Sequence, residues 1–456
     1  MSTHQLRNAI YKLHTQTNSR ASSSHKGTTE TEPLQSISQA QEQWELSIND
    51  ELQAIARERH QPLARLHQEE GAMPALVNSN PPPLRFLFDT EDLLDAIVHI
   101  ESPNRNTAIS SSSLWGAVKL QLHTKSMHEL QQQYAELAPH HRQIGLDDKI
   151  DDSDRFMEQR HVLGKKVIED GYIPVARQYA KFGAPASLRP AIWRIILGLP
   201  ERVSEAETTY YAKLREHVEQ IELLTDELFQ MDVQHIADND HYFPFEELLH
   251  NVVLAFSRDP WVLQNSHVRT HKPLLGHACS AQPTGTAIPP CGVQPFRGFV
   301  NYAAPLTFLF QAEEPAYFVL RAMYARLWCN VNVMRSQPDT LLPLCKLFEE
   351  LVQHHHPSLF FHMLQIGVTP LQIALPWIQF GFVGYLEVDQ VLLLWDRLLG
   401  FEQLSLLSVL AAAIFVYRSH SLMNATDLND VRDVFTDGSM LRVVPLLQHF
   451  LFPGVP

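Results

Sequence analysis

The chain has 456 residues, of which 45% are apolar, and it carries a formal net charge of −15. This length exceeds the usual single core, so we expect one large domain with a smaller N-terminal part. The negative charge argues against nucleic acid or an anionic membrane surface as the main partner, and four cysteines without an N-terminal signal-peptide pattern favour the reducing cytoplasm.

The N-terminal part divides by composition into a tail and a helical region. Residues 1–40 are rich in Ser, Thr, Gln and Glu, so we expect a disordered tail there. Residues 41–158 are expected to be mostly helical, and the first helix should begin near residue 42. Its apolar stripe, which includes Trp44, Ile48 and Leu52, recurs at helical spacing and therefore needs a partner surface.

Prolines and a polar segment interrupt this region. Pro81 to Pro83 predict a stiff extended spacer, after which Asp89 or Thr90 caps another helix. Between residues 118 and 123 apolar and polar residues alternate, which indicates a strand or an extended segment.

Residues 159–452 are predicted to form a second, larger region of almost wholly helical structure, with a long loop at 260–295. No repeat of solenoid length occurs, so the helices should form an irregular all-α array. The apolar run Leu404–Tyr417 is too short to span a bilayer and indicates a buried core helix. The predicted helices cover residues 174–183, 190–198, 205–229, 245–258, 302–309, 315–334, 341–354, 357–364, 369–382, 388–399, 404–419 and 427–435.

Histidines and cysteines in the long loop raise the question of a metal site. The loop carries His267, His271, His277, Cys279 and Cys291, but their spacing contains no compact Cys-x-x-Cys pair, so we expect no zinc. The run of three histidines at 354–356 ends a predicted helix, where histidine suits the helix dipole without a metal. The sequence also lacks a phosphate-binding glycine loop and a Gly-x-Ser-x-Gly elbow, so the chain itself should bind no nucleotide.

The stretch from Gly183 to Gly198 is the most informative motif. Pro190 suits the first helical turn, and Gly198 stands where a left-handed cap is common. The stretch resembles the opening signature of the TBC domain, the Rab GTPase-activating fold, and most closely that of a divergent member of the family. The landmarks of that signature are Gly183, Pro185, Leu188, Arg189, Trp193, Leu197 and Gly198.

Later motifs of the same family follow in the same order. The second motif is similar to Phe229–Ile236, where Asp232 is kept but His235 replaces the arginine finger. The third is similar to Pro295–Phe299 followed by Ala304–Leu306, where Gly298 is kept but Arg297 replaces the glutamine finger. The final landmarks resemble Pro357, Trp377 and the pair Trp395–Asp396, so that the resemblance covers about residues 160–450.

The resemblance implies an irregular multi-helix fold and a role on Rab-family small GTPases in membrane traffic. It implies a GTPase-activating protein, which regulates a partner enzyme and is not itself an enzyme. No cofactor is expected, because GTP and Mg²⁺ belong to the partner GTPase. The protein should be cytoplasmic, without a transmembrane segment, and recruited to endomembranes only through its partners.

The finger positions carry the chemistry that this family uses. An arginine inserted in trans neutralises charge on the γ-phosphate, and a glutamine orients the attacking water. His235 is short and mostly neutral near pH 7, so it is a poor replacement for the arginine. Arg297 is the hypothetical replacement: it could reach the same charge, or it could pair with an acid or lie in solvent. Asp232 either orients a finger or caps its local loop.

The remaining motif residues have simpler expected roles. Arg189 either ties helix ends together or touches the rim of the GTPase, and Gly298 belongs to the same contact or supporting set. Trp193, Trp377 and Trp395 are expected to be core anchors because they lie on apolar helical faces. Asp396 should cap or pair inside the fold.

Two functions of different classes therefore remain open. The first is GTPase activation, through Arg297 or at a weak level. The second is a catalytically inactive module that binds a Rab or another trafficking partner as an effector or scaffold. A third possibility places the partner site on the N-terminal helices near Trp44 and Leu93.

Overall fold

The computed structural model describes residues 32–66, 83–99, 116–118, 122–146, 153–238, 242–266, 289–331, 338–436, 438 and 440–454. The predicted all-α fold class is confirmed. In the described residues the strands are β1 Ala64–Leu66 and β2 Ile221–Leu223, which form one antiparallel pair. In chain order the α-helices are α1 Glu32–Glu58, α2 Thr90–His99, α3 Met127–Gln133, α4 Ser153–Asp170, α5 Ile173–Ala180, α6 Arg189–Ile196, α7 Glu205–Gln220, α8 Leu224–Ala237, α9 Glu246–Ser257, α10 Pro260–Asn265, α11 Glu313–Arg326, α12 Pro338–His355, α13 Pro357–Gln365, α14 Pro370–Gln379, α15 Val388–Phe401, α16 Ser405–Tyr417, α17 Ser419–Leu422, α18 Leu428–Val434 and α19 Val443–Leu451.

Short 3₁₀ helices connect several of these elements. They cover Ala135–Leu137, Phe243–Phe245, Phe299–Tyr302, Ala304–Phe308 and Trp328–Asn330. The helix predicted over 302–309 forms as 3₁₀ turns, of which the second contains Pro305.

The chain divides into two compact units. Unit 1 contains residues 1–104, 203–307 and 311–339, and unit 2 contains residues 105–202, 308–310 and 340–456. Unit 1 has an aromatic core in which Phe299 makes an edge contact with Phe229, with ring centroids 5.3 Å apart. In unit 2, α16 runs through the centre: its residues from Ser405 to Phe415 are all buried.

The N-terminal helix is longer than its sequence pattern indicates. It begins at Glu32, inside the stretch expected to be a tail, because Glu32 and Pro33 both suit a first helical turn. Residues 1–31 lie outside the described part of the chain. The predicted apolar stripe is buried: Trp44, Ile48 and Leu52 are at most 6% exposed.

The helix predicted over 205–229 is interrupted. Ile221–Leu223 is extended and pairs with Ala64–Leu66, so α7 ends at Gln220 and α8 begins at Leu224. Arg65 and Glu222, which face each other in this pair, are 157 residues apart in sequence. The local sequence therefore carries no signal for the strand. The loop predicted over 260–295 likewise begins with a short helix, α10, capped by Asp259.

The segment 118–123 contains no strand in its described residues. The amides of Ala117 and Val118 instead donate to the carboxylate of Glu349, at 2.7 and 3.1 Å. Burial raises the pKa of Glu349, which is 2% exposed. Across the described ranges no single helix is long and apolar enough to cross a membrane; α13 and α14 meet that test only as a pair bent by 108°.

Candidate functional site

A buried carboxylate joins the second and third sequence motifs in unit 1. Asp232, on α8, is 1% exposed and accepts hydrogen bonds from the amides of Gly298 and Val300, at 2.7 and 2.8 Å. Gly298 has a φ of 96°, a left-handed conformation that favours glycine. Asp232 thus fixes the backbone of the loop that carries Arg297.

The charge of Asp232 is sensitive to its surroundings. Burial raises the pKa of its carboxyl group to about 7, although the two amide hydrogen bonds and the nearby charge of Arg297 oppose that shift. Each carboxyl oxygen accepts one amide hydrogen bond, and these two bonds favour the charged form.

The side chains at the two finger positions meet at the surface of unit 1. His235 lies one turn after Asp232 on α8, and its Nε2 is 3.2 Å from Nη2 of Arg297. Both side chains are exposed. Arginine can only donate, so His235 accepts this bond through an unprotonated Nε2. The pair therefore presents one permanent cation at the surface, with the imidazole of His235 beside it.

The start of α8 is held by a buried ion pair. Asp226 accepts from the amide of Leu223 at 2.9 Å, and its Oδ1 accepts from Nη1 of Arg258 at 2.6 Å. Arg258, which is 1% exposed, also donates to the carbonyl of Ile221 at 2.8 Å. These contacts fix the strand-to-helix junction, so the helix that carries Asp232 and His235 has a defined starting point.

Arg189 lies elsewhere, in the interior of unit 2. Its guanidinium makes bonds of 3.0 and 3.1 Å to both oxygens of Asp396, and the indole of Trp193 donates to the same carboxylate at 2.7 Å. Arg189 is 5% exposed and Asp396 is fully buried. The amide of Ala184 also donates to Asp396, at 3.0 Å. This arrangement ties the start of α6 to α15.

Both glycines of the opening motif stand where the structure favours a residue without a side chain. A Cβ at Gly183 would come within 2.8 Å of Nη1 of Arg397 and 2.9 Å of Cβ of Ile144, so only glycine allows this close approach. Gly198 has a φ of 74° and ends α6, as a left-handed cap does. Burial lowers the pKa of Arg397 to about 10.

The other predicted anchors are buried in unit 2. Trp193 and Trp395 are fully buried with ring centroids 6.2 Å apart, and Trp377 stacks on Tyr385 at 4.1 Å. No cluster of metal-ligating side chains occurs among the described residues. Cys291 is buried and contacts the backbone of Val293. His267, His271, His277 and Cys279 lie outside the described residues, and the run 354–356 ends α12 and precedes α13.

Two aromatic residues lie beside the site but belong to none of the sequence motifs. Phe86 lies with its ring centroid 6.0 Å from Cζ of Arg297, and Phe88 stacks on Phe296 with centroids 5.3 Å apart. The signal that could have found them is the apolar run 86–88, which follows the proline spacer and precedes the cap of α2.

Comparisons with known proteins agree with these motifs. The family model of the Rab-GTPase-TBC domain matches residues 295–423. TBC1 domain family member 19 of Homo sapiens is 36% identical over 440 residues, which are 93% of this chain and 83% of that protein. Growth hormone-regulated TBC protein 1 of Mus musculus is 23% identical over 270 residues, which are 57% of this chain and 68% of that protein.

Two solved structures are similar to the chain. One is the Chlamydomonas flagellar RabGAP TBC domain, with a TM-score of 0.48, 17% identity and coverage of 66% of this chain and 92% of that one. The other is the Ypt/Rab-GAP domain of Gyp1p, with a TM-score of 0.49, 15% identity and coverage of 64% of this chain and 95% of that one.

Proposed function

Since the chain belongs to the TBC domain family, we propose that it regulates Rab-family small GTPases and accelerates their GTP hydrolysis through Arg297. In this proposal GTP and Mg²⁺ are held by the partner, and the chain contributes protein side chains alone. It acts as a regulator of another enzyme. Its work in membrane traffic, and its recruitment from the cytoplasm to endomembranes, follow from the location of the GTPase.

The observation that carries this proposal is the contact between Arg297 and His235. Arginine is permanently protonated and offers several N–H donors in a rigid plane, which suits the charge that spreads over the γ-phosphate oxygens in the transition state. The guanidinium is exposed on a loop whose backbone Asp232 holds, and in this proposal it reaches the docked nucleotide. Arg297 therefore takes the role of the arginine finger from the position of the glutamine finger.

The neighbouring residues support Arg297 and do not act in its place. His235 accepts a hydrogen bond from the guanidinium and so restricts its orientation. Asp232 and Gly298 hold the loop backbone. With no glutamine at this position, the GTPase's own glutamine would orient the attacking water. Arg189 serves unit 2 through Asp396 and has no part in this chemistry.

The test is single-turnover GTP hydrolysis across a panel of purified Rab proteins, with the chain in excess. We expect at least one Rab to be stimulated, and Arg297→Ala to reduce the stimulation by about tenfold or more, toward the background rate. Arg65→Ala is the matched control, because it removes another exposed guanidinium of unit 1, one that pairs with Glu222. An Arg297→Ala variant that stimulates as well as the wild type would contradict the proposal.

A second candidate function is binding without acceleration, as an effector or scaffold. The observation that favours it is the imidazole of His235 at the arginine-finger position, where a bidentate fork is absent. A direct binding measurement beside the hydrolysis assay separates the two functions. Binding of GTP-loaded Rab by both the wild type and Arg297→Ala, with no change in hydrolysis, would support the second.

A further inference from the structure

The N-terminal region contacts both elements that carry the finger positions. Nη1 of Arg59, just after α1, lies 2.8 Å from the carboxylate of Glu227 on α8, and β1 pairs with β2 directly before that helix. From the same helix α1, Asn49 accepts a hydrogen bond of 3.0 Å from Gln294, in the loop that leads to Arg297. Within unit 1, these contacts attach the N-terminal region to the start of α8 and to the loop that carries Arg297.

Residues 84–89, here named the brace, continue this attachment to the Arg297 loop itself. Phe88 is 1% exposed and lies between Trp44, at a centroid distance of 5.6 Å, and Phe296, at 5.3 Å. Its carbonyl accepts from the amide of Arg297 at 3.4 Å. Aromatic contacts of this kind stabilise beyond the burial of their area, so Phe88 joins α1 to the residue that precedes Arg297.

The brace is itself held in place at both ends. Arg85 pairs with Glu51 on α1, and its Nη1 lies 3.8 Å from Glu58 on the same helix. At the other end, Asp89 accepts from the amide of Glu91 at 2.9 Å and so caps α2. The brace is therefore part of the folded unit and holds Phe86 and Phe88 in defined places.

The brace leaves the finger side chains accessible. Arg297 and His235 are both exposed, while Phe86 is half-buried at the side of the Arg297 guanidinium. A segment that blocked a partner would cover these two side chains. The arrangement fits lateral support of a cation, in which an aromatic face holds the guanidinium and leaves its outer N–H groups open.

We propose that the brace is a positioning element of the finger site: Phe88 holds the Arg297 loop, and Phe86 orients the Arg297 guanidinium toward a docked GTPase. This proposal rests on the proposed function for its effect on hydrolysis, but its structural part does not. In this proposal the N-terminal region is part of the finger site. Without the brace, Asp232 would still hold Gly298, but the residues before it would lose their aromatic support.

The experiment combines amide hydrogen exchange with GTPase assays on the full chain. Phe88→Ala is expected to speed exchange over residues 294–300 by about tenfold or more, with exchange in unit 2 unchanged. Phe88→Leu, which keeps most of the volume but removes the ring stacking, should give a smaller increase in the same residues. If Phe88→Ala unfolds the protein, the exchange rates of Phe88→Leu alone test the proposal. Unchanged exchange over 294–300 in the folded variants overturns the proposal.

The orienting role of Phe86 is tested separately. Phe86→Ala should leave exchange over 294–300 near that of the wild type and lower GTPase stimulation severalfold, while the affinity for the GTP-loaded Rab changes little. Leu87→Ala is the matched control, because Leu87 lies between the two phenylalanines and is also half-buried. Stimulation by Phe86→Ala equal to that of Leu87→Ala overturns this part.

The outcomes also separate this proposal from the proposed function. If the wild type stimulates no Rab, the catalytic function fails, and the exchange measurement alone decides whether the brace holds the loop. If exchange responds to Phe88→Ala but every brace variant stimulates as well as the wild type, the brace supports the fold only and its positioning role is overturned.

Discussion

The carboxylate of Asp232 and the amide of Gly298 are joined by a hydrogen bond of 2.7 Å, although the two residues lie 66 positions apart. One belongs to the helix that carries His235 and the other to the loop that carries Arg297. The bond therefore couples the two finger positions through a single buried group.

The pH dependence of stability follows from Asp232. Burial raises the pKa of its carboxyl from 3.8 to about 7. Between about pH 4 and pH 7 the native carboxyl group therefore keeps a proton that the unfolded chain has already released. This group makes the free energy of unfolding decrease as pH rises through that window, by at most about 1.4 kcal/mol per pH unit. Asp232→Asn does not titrate, so its free energy of unfolding should decrease less steeply.

Urea denaturation of both proteins at several pH values across the window checks this expectation. The difference between the two slopes is the relevant quantity, because all other titrating groups are common to both chains. Parallel curves for the wild type and Asp232→Asn would show that Asp232 is ionised throughout the window.

The finger residues should show strong non-additivity. Nε2 of His235 lies 3.2 Å from Nη2 of Arg297, so His235→Arg alone places a second guanidinium beside Arg297. Repulsion between the two charges should weaken the stimulation of GTP hydrolysis. Adding Arg297→Gln restores the pair that the family motifs carry, and we expect the double variant to stimulate GTP hydrolysis about tenfold or more above the His235→Arg variant. A double-mutant cycle in single-turnover assays measures this coupling. A double variant slower than both single variants would contradict it.

The left-handed backbone at Gly298 should be intolerant of a side chain. Gly298→Ala is expected to cost about 1 kcal/mol of stability because its φ is 96°, and to weaken stimulation because the bond to Asp232 shifts. Gly367→Ala is the matched control: its φ is 78°, a Cβ added there would meet no atom within 4 Å, and it lies in unit 2. A similar loss of stability with normal stimulation is expected there. Equal effects of both variants on stimulation would argue against a special role of Gly298.

Arg189 should be a stability residue and not a GTPase contact. Arg189→Ala leaves the fully buried carboxylate of Asp396 without its hydrogen-bonded guanidinium, which costs about 3–5 kcal/mol for buried pairs. Arg177→Ala, which breaks the more exposed pair with Glu402, should cost less than about 1 kcal/mol. Chemical denaturation compares the two. If Arg189→Ala kept its stability but lost affinity for the GTPase, the rim-contact alternative would be correct.

The sequence predicts best where structure is local. The helix predicted over 427–435 forms as α18, and the side chain of Asp427 accepts from the amides of Asn429 and Asp430 at its start. The prediction of one helix across Ile221–Leu223 is wrong, because the strand partner Ala64–Leu66 lies in a distant part of the chain. Helical propensity could not indicate that pairing, since tertiary contacts decide it.

At the candidate site, too, the sequence indicates some residues and misses others. Motif order indicates Asp232, His235 and Arg297, and the structure brings them together around one loop. The same motifs could not indicate Phe86 or Phe88, because their contacts come from packing between segments about two hundred residues apart. Arg189 belongs to the opening motif but lies with Asp396 in the other unit.

The hold of Asp232 on the loop has a consequence for how this site can evolve. The hydrogen bonds of the carboxylate go to the main-chain amides of Gly298 and Val300 and do not require a particular side chain at position 297. A replacement there leaves these two hydrogen bonds available and changes the side chain that is offered to a partner. The side chain that meets a partner can thus change without loss of the two hydrogen bonds that hold its loop.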